Sequence, residues 1–200
     1  MKESHFFAMM SRMKYINRWG LMRNTRAENI SEHSMDTAML AHALAVIGNK
    51  RFGKQYNAER AAVIAMYHDA SEIITGDLPT PVKYYSADIR EAYHALENRA
   101  VAQLVSLLPQ DLRGEYQEIM AFASAEDKAL QPLIKAADKL SALVKCIEER
   151  KSGSTEFFRA EETLRMAVAD MHLEEADCFL EVFLPSYALT LDEQKGEQLE

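Results

Sequence analysis

Residues 61–72 read AAVIAMYHDASE. The stretch begins with an apolar run of helical length, and two ionisable side chains, His68 and Asp69, follow it at once. A further carboxylate, Glu72, comes one helical turn later. Ionisable groups in apolar surroundings are costly unless they are paired or bind a metal ion. The stretch therefore predicts a buried helix that carries a polar site near its end.

Two other apolar segments carry an isolated ionisable residue of the same kind. His33 lies near the start of the segment that follows Ser31, and Asp138 lies within residues 133–144, LIKAADKLSALV. Together with His68 and Asp69 they supply two imidazoles and two carboxylates, a mixed N/O set suited to one divalent cation. Glu72 shares the helix face of His68 and Asp69, because residues three and four apart are neighbours on a helix. It would place a spare carboxylate where an acid or base is needed.

Apolar residues recur mostly at helical spacing along the whole chain, which predicts an all-α fold of about seven helices. Ser31 is the expected N-cap of the second helix, and Pro132 either kinks the sixth helix or marks its first turn. Residues 77–81 are expected to be non-helical because two prolines disfavour the α region before them. The predicted helices are 6–15, 31–49, 57–76, 86–108, 112–122, 124–151 and 157–183, with a polar tail after about residue 192.

Composition limits the class of protein. With 200 residues, 48% of them hydrophobic and 27% charged, the chain is predicted to be one folded domain rather than a disordered segment. A net charge of −8 argues against a binder of duplex nucleic acid. No long uncharged apolar run predicts a membrane span. Cys146 and Cys178 lie far apart, which argues against a disulfide framework or a zinc ribbon, so we expect a cytoplasmic protein.

Four short motifs resemble those of the HD-domain phosphohydrolases, whose metal signature is the order His…His-Asp…Asp. They are SEHS (31–34), YHDASE (67–72), GDLPTPVKY (76–84) and KAAD (135–138). Within that superfamily, the NRW stretch (17–19) and the GDLPTP loop resemble the bacterial 5′-deoxynucleotidases of the YfbR type. The resemblance extends over nearly the whole chain and implies that residues 1–200 form a single HD-domain helical bundle.

The resemblance also implies roles for the ionisable residues. His33, His68, Asp69 and Asp138 would hold one divalent transition metal cation such as Co, Mn or Zn. Glu72 would transfer a proton, either at the attacking water or at the leaving 5′-oxygen, and the resemblance leaves both possibilities open. Arg18 would bind and orient the substrate phosphate, a task suited to its planar, permanently charged guanidinium.

The substrate implied by the resemblance is a deoxyribonucleoside 5′-monophosphate, hydrolysed to deoxynucleoside and phosphate by a cytoplasmic homodimer. Asp77 would accept a hydrogen bond from the sugar 3′-hydroxyl, and Trp19 would leave no room for a 2′-hydroxyl. The other residues implied to contact the substrate are Leu78, Pro79, Thr80 and the metal ligands His33, Asp69 and Asp138.

Several of these residues also have a purely structural interpretation. Without the resemblance, Arg18 would be an ordinary surface residue and Trp19 a core anchor. Lys83 is expected to be a solvated loop residue, and residues 148–151 a solvated helix end. Two further functions stay open at this point. One is another HD-type reaction on a ribonucleotide, a deoxynucleoside triphosphate or a cyclic nucleotide, and the other is a non-catalytic helical binding module.

Overall fold

A computed structural model describes residues 3–83, 85–122 and 124–195, and within these ranges the fold is all-α. The only β-type pairing described there is an isolated antiparallel bridge between Asn17 and Asn29. The helices are Phe6–Met10 (α1), Ile30–Arg51 (α2), Ala58–Tyr67 (α3), Glu72–Thr75 (α4), Thr80–Lys83 (α5), Ala87–Ser106 (α6), Arg113–Ala121 (α7), Ala125–Lys151 (α8), Phe158–Ala169 (α9), Glu174–Val182 (α10) and Leu191–Gln194 (α11). Short 3₁₀ segments cover Ser11–Tyr15, Gln110–Leu112 and Leu184–Ala188. Among the described residues, no helix is both long and apolar enough to cross a membrane.

The all-α class is confirmed, but the expected number of about seven helices is too low because predicted helices break into shorter ones. The expected helix 57–76 ends at Tyr67, and a turn at 68–71 separates it from α4. The expected helix 157–183 divides into α9 and α10, where His172 adopts a left-handed φ of 52°. Thr80 begins a helical turn inside the loop that was expected to be non-helical, since proline is tolerated in a first turn. Tyr84 and the end of the predicted polar tail, 196–200, lie outside the described residues.

The start of α2 differs from the prediction in a way that matters for the site. Asn29, not Ser31, is the N-cap, and its Oδ1 accepts hydrogen bonds from the backbone of Ser31 and Glu32 at 3.0 Å each. The Glu32 carboxylate returns a contact to the Asn29 backbone N–H, which completes a capping box. The prediction failed because Ser and Asn are equally good caps. With this cap, the His33 backbone N–H donates to the Asn29 carbonyl at 3.1 Å and begins the hydrogen-bond ladder of α2.

The predicted start of the helix at residue 124 is confirmed, since α8 follows Ser124 directly and Ser124 Oγ accepts a hydrogen bond from the Asp127 backbone at 2.9 Å. Pro132 lies inside α8, so the alternative in which Pro132 marks the first turn is wrong. The predicted starts at residues 57 and 86 are confirmed as well, because Asn57 and Ser86 cap α3 and α6 with side-chain hydrogen bonds.

The helices that carry the candidate ligands share one hydrophobic core. Helices α2, α3 and α8 all pack against one another, and side chains such as Leu44, Ile64 and Leu140 are fully buried between them. A smaller cluster around Phe6 and Leu104 joins the N-terminal helix to α6. Because protein interiors are close-packed, this core holds the start of α2, the end of α3 and the middle of α8 at fixed positions relative to one another.

A buried ion pair fastens the loop before α2 to α8. The prediction of a solvated helix end at 148–151 is wrong for Glu149, which is 1% exposed. One Glu149 oxygen accepts hydrogen bonds from the Thr25 backbone at 2.8 Å and hydroxyl at 2.7 Å. The other accepts from Arg26 N and from Lys145 Nζ, which also donates to the Arg26 carbonyl. This loop also carries Arg18 and Trp19.

We expect Glu149→Ala to lower the free energy of unfolding by about 3–5 kcal/mol, since it leaves the charge of Lys145 buried and unpaired. Glu148→Ala is the matched control, because this neighbouring side chain is exposed and its removal should change stability by about 0.5 kcal/mol or less. Urea unfolding followed by circular dichroism measures both. Equal stability of the two variants would show that the buried network does not hold the loop.

Candidate active site

The four predicted metal ligands converge at the junction of α2, α3 and α8. His33 Nε2 lies 3.0 Å from Asp138 Oδ1 and 3.5 Å from Asp69 Oδ2. His68 Nε2 lies 3.1 Å from Asp69 Oδ2 and 4.0 Å from Asp138 Oδ1. The donor atoms of His33, His68 and Asp138 all fall within 4.8 Å of one another. Residues separated by more than a hundred positions therefore present their donor atoms to a single point.

Both imidazoles are oriented by a contact on their far side. His68 Nδ1 lies 2.7 Å from the Ala65 carbonyl, and His33 Nδ1 lies 3.0 Å from Ser141 Oγ. A carbonyl only accepts, so His68 Nδ1 carries the proton and Nε2 faces the carboxylates. Metal-bound histidines are typically held in this way, with the second nitrogen bonded to a carbonyl or another polar group.

His68 and Asp69 do not lie within a helix as predicted. They form a tight turn between α3 and α4, in which Ala70 N donates to Tyr67 O and Glu72 N donates to Asp69 O. The turn brings the adjacent side chains to the same side, with Asp69 Oδ2 beside both imidazoles. Convergence of the pair therefore depends on the break in the helix.

The residues fit a divalent transition cation. His68 Nε2 is buried and makes no well-directed hydrogen bond, although Asp69 Oδ2 lies 3.1 Å away, and such a polar atom is costly unless something else satisfies it. Two imidazole nitrogens and carboxylate oxygens are donors that suit Mn, Co, Zn or Fe, and the affinity order alone does not choose among them. A single cation beside these atoms would satisfy the orphaned nitrogen and offset the two negative charges.

The electrostatics of the cluster already favour positive charge. Burial lowers the pKa of His68, but the carboxylates of Asp69 and Asp138 more than offset it and raise that pKa to about 9. Burial raises the pKa of Asp69, but His68, His33 and Arg18 together bring it well below its ordinary value. The metal-free cluster therefore holds a proton where a cation would bind, and metal binding would displace it.

Glu72 is a buried carboxyl without a full set of partners. Its side chain is 6% exposed, and its Oε2 has no hydrogen-bond partner. Burial and the nearby charges of Asp69 and Asp77 raise its pKa to about 9, against smaller opposing effects of Arg18 and Lys83. A group that holds a proton at neutral pH and lies beside a metal cluster is a candidate acid or base.

Arg18 and Trp19 reach the site from the loop before α2. Arg18 Nη1 lies 3.4 Å from Asp69 Oδ2, and Arg18 Nε lies 3.2 Å from Glu28 Oε2. Trp19 has a left-handed φ of 60° and donates its indole N–H to Glu28 Oε2 at 2.8 Å. Its ring meets Phe157 edge to face at 5.3 Å. Arg18 is thus no free surface arginine, and Trp19 is held at the edge of the site.

Asp77 belongs to the same electrostatic cluster, whereas the next residues lie toward its rim. Burial and Asp69 raise the pKa of Asp77, while Arg18 and the Trp19 backbone lower it. Leu78 and Pro79 are half-buried, and Thr80 is exposed. The prediction of a solvated Lys83 is wrong, because Lys83 Nζ donates to Glu97 at 3.0 Å and lies 4.5 Å from the centre of the Tyr93 ring.

Comparison with known proteins assigns the family. A family model described as 5′-deoxynucleotidase YfbR-like matches residues 5–187. The chain belongs to this YfbR-like family. It is 51% identical over 193 residues to the 5′-deoxynucleotidase YfbR of Shigella dysenteriae serotype 1, covering 96% of each chain. It is 50% identical over 193 residues to the protein of that name from Escherichia coli strain ATCC 8739, again over 96% of each chain.

Solved structures show the same fold. The YfbR-like chain matches an HD-domain phosphohydrolase from Listeria innocua with a TM-score of 0.77 and 21% identity, over 96% of this chain and 92% of that one. It matches an HD phosphohydrolase of cyanophage S-2L, bound to dA and one catalytic Zn²⁺, with a TM-score of 0.68 and 21% identity, over 95% and 99% of the two chains. The HD-domain fold implied by the motifs is thereby confirmed.

The sequence analysis missed three residues that support this YfbR-like site. Ser141 lies three residues after Asp138, so helical spacing places both side chains on the same face of the helix. Ser141 could therefore have been predicted from the sequence. Glu28 lies in a loop, where no periodicity marks it. Phe157 contacts Trp19 from more than a hundred residues away, and nothing local in the sequence indicates that contact.

Proposed function

We propose that this protein is a metal-dependent phosphomonoesterase that hydrolyses deoxyribonucleoside 5′-monophosphates to deoxynucleoside and phosphate. The observation that carries the proposal is the position of Arg18, whose guanidinium lies 3.4 Å from Asp69 within the two-histidine, two-carboxylate cluster. A phosphate-binding cation beside a set of metal ligands is what hydrolysis of a phosphate ester needs. The 50–51% identity to relatives named 5′-deoxynucleotidase supports the substrate class.

His33, His68, Asp69 and Asp138 would hold one divalent transition cation. Such a cation supplies Lewis acidity toward a phosphoryl oxygen and lowers the pKa of a coordinated water. Ser141 and the Ala65 carbonyl fix the two imidazoles, so that the ligand geometry is formed before the cation arrives. His33, Asp69 and Asp138 would also face the substrate phosphate, because they line the same point as Arg18.

Arg18 and Glu72 would perform the tasks that remain on the protein. Arg18 orients the phosphate and neutralises its charge through the N–H groups that its carboxylate partners leave free. Glu72 holds or takes a proton beside the reacting oxygens, at the water or at the leaving 5′-oxygen. Its raised pKa, caused first by burial, is the kind of tuning that acid–base catalysis near neutral pH requires.

The sugar would be recognised by Asp77 and Trp19. Asp77 would accept a hydrogen bond from the 3′-hydroxyl, and Trp19 would close the space that a 2′-hydroxyl needs. The half-buried Leu78 and Pro79 and the exposed Thr80 would line the nucleoside side of the pocket. Recognition of phosphate and sugar without contacts to the base edges gives weak base preference.

Phosphate release from chelator-stripped protein tests the proposal. The panel contains dAMP, dTMP, dCMP, AMP and dATP, each with Mg²⁺, Mn²⁺, Co²⁺, Zn²⁺ or no added metal. We expect release from the deoxymonophosphates only, and only with a transition metal. Equal release from AMP would contradict the deoxy specificity, and formation of deoxyadenosine with triphosphate from dATP, detected by chromatography of the same reactions, would indicate a triphosphohydrolase.

We expect Trp19→Ala to lower the preference for dAMP over AMP, expressed as the ratio of kcat/KM values, by about tenfold or more. A steric wall discriminates by excluding the larger substrate, so its removal should raise activity on AMP rather than only reduce activity on dAMP. Tyr15→Ala is the control, because this nearby aromatic side chain is exposed. An unchanged ratio would mean that Trp19 serves packing alone.

We also propose that residues 1–200 form a single HD domain, that the protein is a homodimer and that it is cytoplasmic. Helix α2 exposes Met35, Met39 and Val46 along one face, and Phe183 after α10 is 40% exposed, so apolar surface is available for a second copy. Phe179, which lies within α10, is buried in the core and is not available for such a contact. Both cysteines are buried free thiols, as is usual in a reducing compartment. Light scattering coupled to size exclusion measures the oligomeric state.

A further inference from the structure

We propose that Glu28 is a positioning residue that sets deoxyribose specificity by holding Trp19 and Arg18 with one carboxylate oxygen. Glu28 Oε2 accepts the Trp19 indole N–H at 2.8 Å and lies 3.2 Å from Arg18 Nε. The Glu28 side chain is only 11% exposed. This inference rests on the proposed function, since Trp19 and Arg18 are there assigned to the sugar and the phosphate.

Trp19 needs such a partner because its backbone is held in an unfavourable region. A bulky residue at a φ of 60° is an outlier that persists only when surrounding contacts determine it. Phe157, which is fully buried, packs edge-on against the indole from one side. The hydrogen bond to Glu28 fixes the remaining freedom, which is rotation of the ring about its side-chain bonds.

Glu28 also holds the main chain at the same place. Arg18 N donates to the Glu28 carbonyl at 2.9 Å, next to the bridge between Asn17 and Asn29. Glu28 therefore holds the Arg18 backbone with a hydrogen bond and faces the Arg18 side chain as an ion pair that lacks hydrogen-bond geometry. Because a hydrogen bond to an ionised acceptor is about twice as strong as a neutral one, the Glu28 carboxylate is the dominant polar partner of the indole.

Three variants separate this role from a general effect on stability. Glu28→Ala removes the acceptor, and Glu28→Met removes it while keeping similar side-chain volume, in case the alanine variant fails to fold. Glu28→Gln keeps an amide oxygen that can accept the indole N–H. Glu32→Gln is the matched control, because Glu32 lies in the adjacent capping box and contacts neither Trp19 nor Arg18.

Two measurements report on the proposal independently. The first is the ratio of kcat/KM for dAMP over AMP in the metal-loaded enzyme. The second is acrylamide quenching of tryptophan fluorescence, which reports on Trp19 alone because the chain contains one Trp. For Glu28→Ala and Glu28→Met we expect the ratio to fall by about tenfold, the order expected for loss of one hydrogen bond to a charged group, together with stronger quenching. Glu32→Gln should stay near the wild type in both. Glu28→Gln should keep quenching near the wild type because it keeps an acceptor, but its ratio should fall part of the way because it loses the charge that faces Arg18.

The opposite results are equally specific. A folded Glu28→Ala or Glu28→Met variant with the wild-type ratio and quenching would overturn the proposal. Lower activity on both nucleotides with an unchanged ratio would also overturn it, since it would indicate a general effect. Failure of Glu28→Gln to restore quenching would overturn the hydrogen-bond assignment. If the wild type hydrolyses neither nucleotide, the proposed function fails, and quenching still decides whether Glu28 positions Trp19.

Discussion

Asp138→Ala is expected to abolish phosphate release from dAMP, with a loss of kcat/KM of about a thousandfold or more. The substitution removes one of the two carboxylates proposed as metal ligands, and even the loss of a group behind a metal ligand costs about 10–100-fold in metal affinity or activity. Metal analysis of the purified variant should find little bound transition metal. Chelation of the wild type should give the same loss, and added Mn²⁺ or Co²⁺ should reverse it only in the wild type.

Asp138 is the best ligand for this test because its removal disturbs the fold least. Its side chain is 43% exposed, whereas His33 is fully buried against Ser141 and its removal would leave a cavity. Asp170→Asn controls for the loss of one negative charge at an exposed position outside the cluster. Full activity of a metal-free Asp138→Ala variant would remove the cation from the reaction.

The sequence could predict the fold class from local pattern, and its motifs could identify the residues that converge at the candidate site; their role as metal ligands stays a prediction. Helical spacing of apolar residues and the caps Asn57, Ser86 and Ser124 placed three helix starts correctly. The breaks at 68–71 and near His172 were not predicted because neither stretch contains a proline or glycine, and helical apolar spacing resumes on both sides. What ends the helices there is tertiary packing, which outweighs local propensity.

The polar network around the site was harder to predict for the same reason. Glu149 lies in a charged run that is typical of a solvated helix end, yet it binds the backbone of Thr25 and Arg26 across more than a hundred residues. Glu28 and Phe157 likewise act through contacts distant in sequence. Periodicity identifies which face of a helix is buried, but it does not indicate which loop covers that face.

Glu72→Gln is expected to lower kcat by about 10²–10⁴-fold, the range typical of a lost general acid or base, while metal content stays near the wild type. Gln keeps the size of the buried side chain and can still make hydrogen bonds, so the fold and the ligand cluster should be preserved. Single-turnover phosphate release at saturating dAMP measures the chemical step. Exposed Glu181→Gln is the control for a neutralised carboxylate, and wild-type turnover of Glu72→Gln would remove Glu72 from the mechanism.

Glu72→Gln should also change how the free energy of unfolding of the metal-free protein depends on pH. In the folded chain, burial first and then Asp69 and Asp77 raise the pKa of Glu72 from 4.5 to about 9. Between these values the folded state binds more protons than the unfolded state, so the free energy of unfolding must fall as pH rises. Gln cannot ionise, and the variant should therefore lose less stability than the wild type between pH 5 and 9.

The raised pKa of His68 also makes the free energy of unfolding fall as pH rises. This effect is present in both the wild type and the variant, so it largely cancels when their free energies of unfolding are compared. Urea unfolding of chelator-stripped wild type and variant at several pH values measures that difference. Parallel pH profiles would show that Glu72 is already ionised in the metal-free fold. A profile that is flatter for the variant would show that the buried carboxyl keeps its proton at neutral pH in the metal-free fold, as its raised pKa implies.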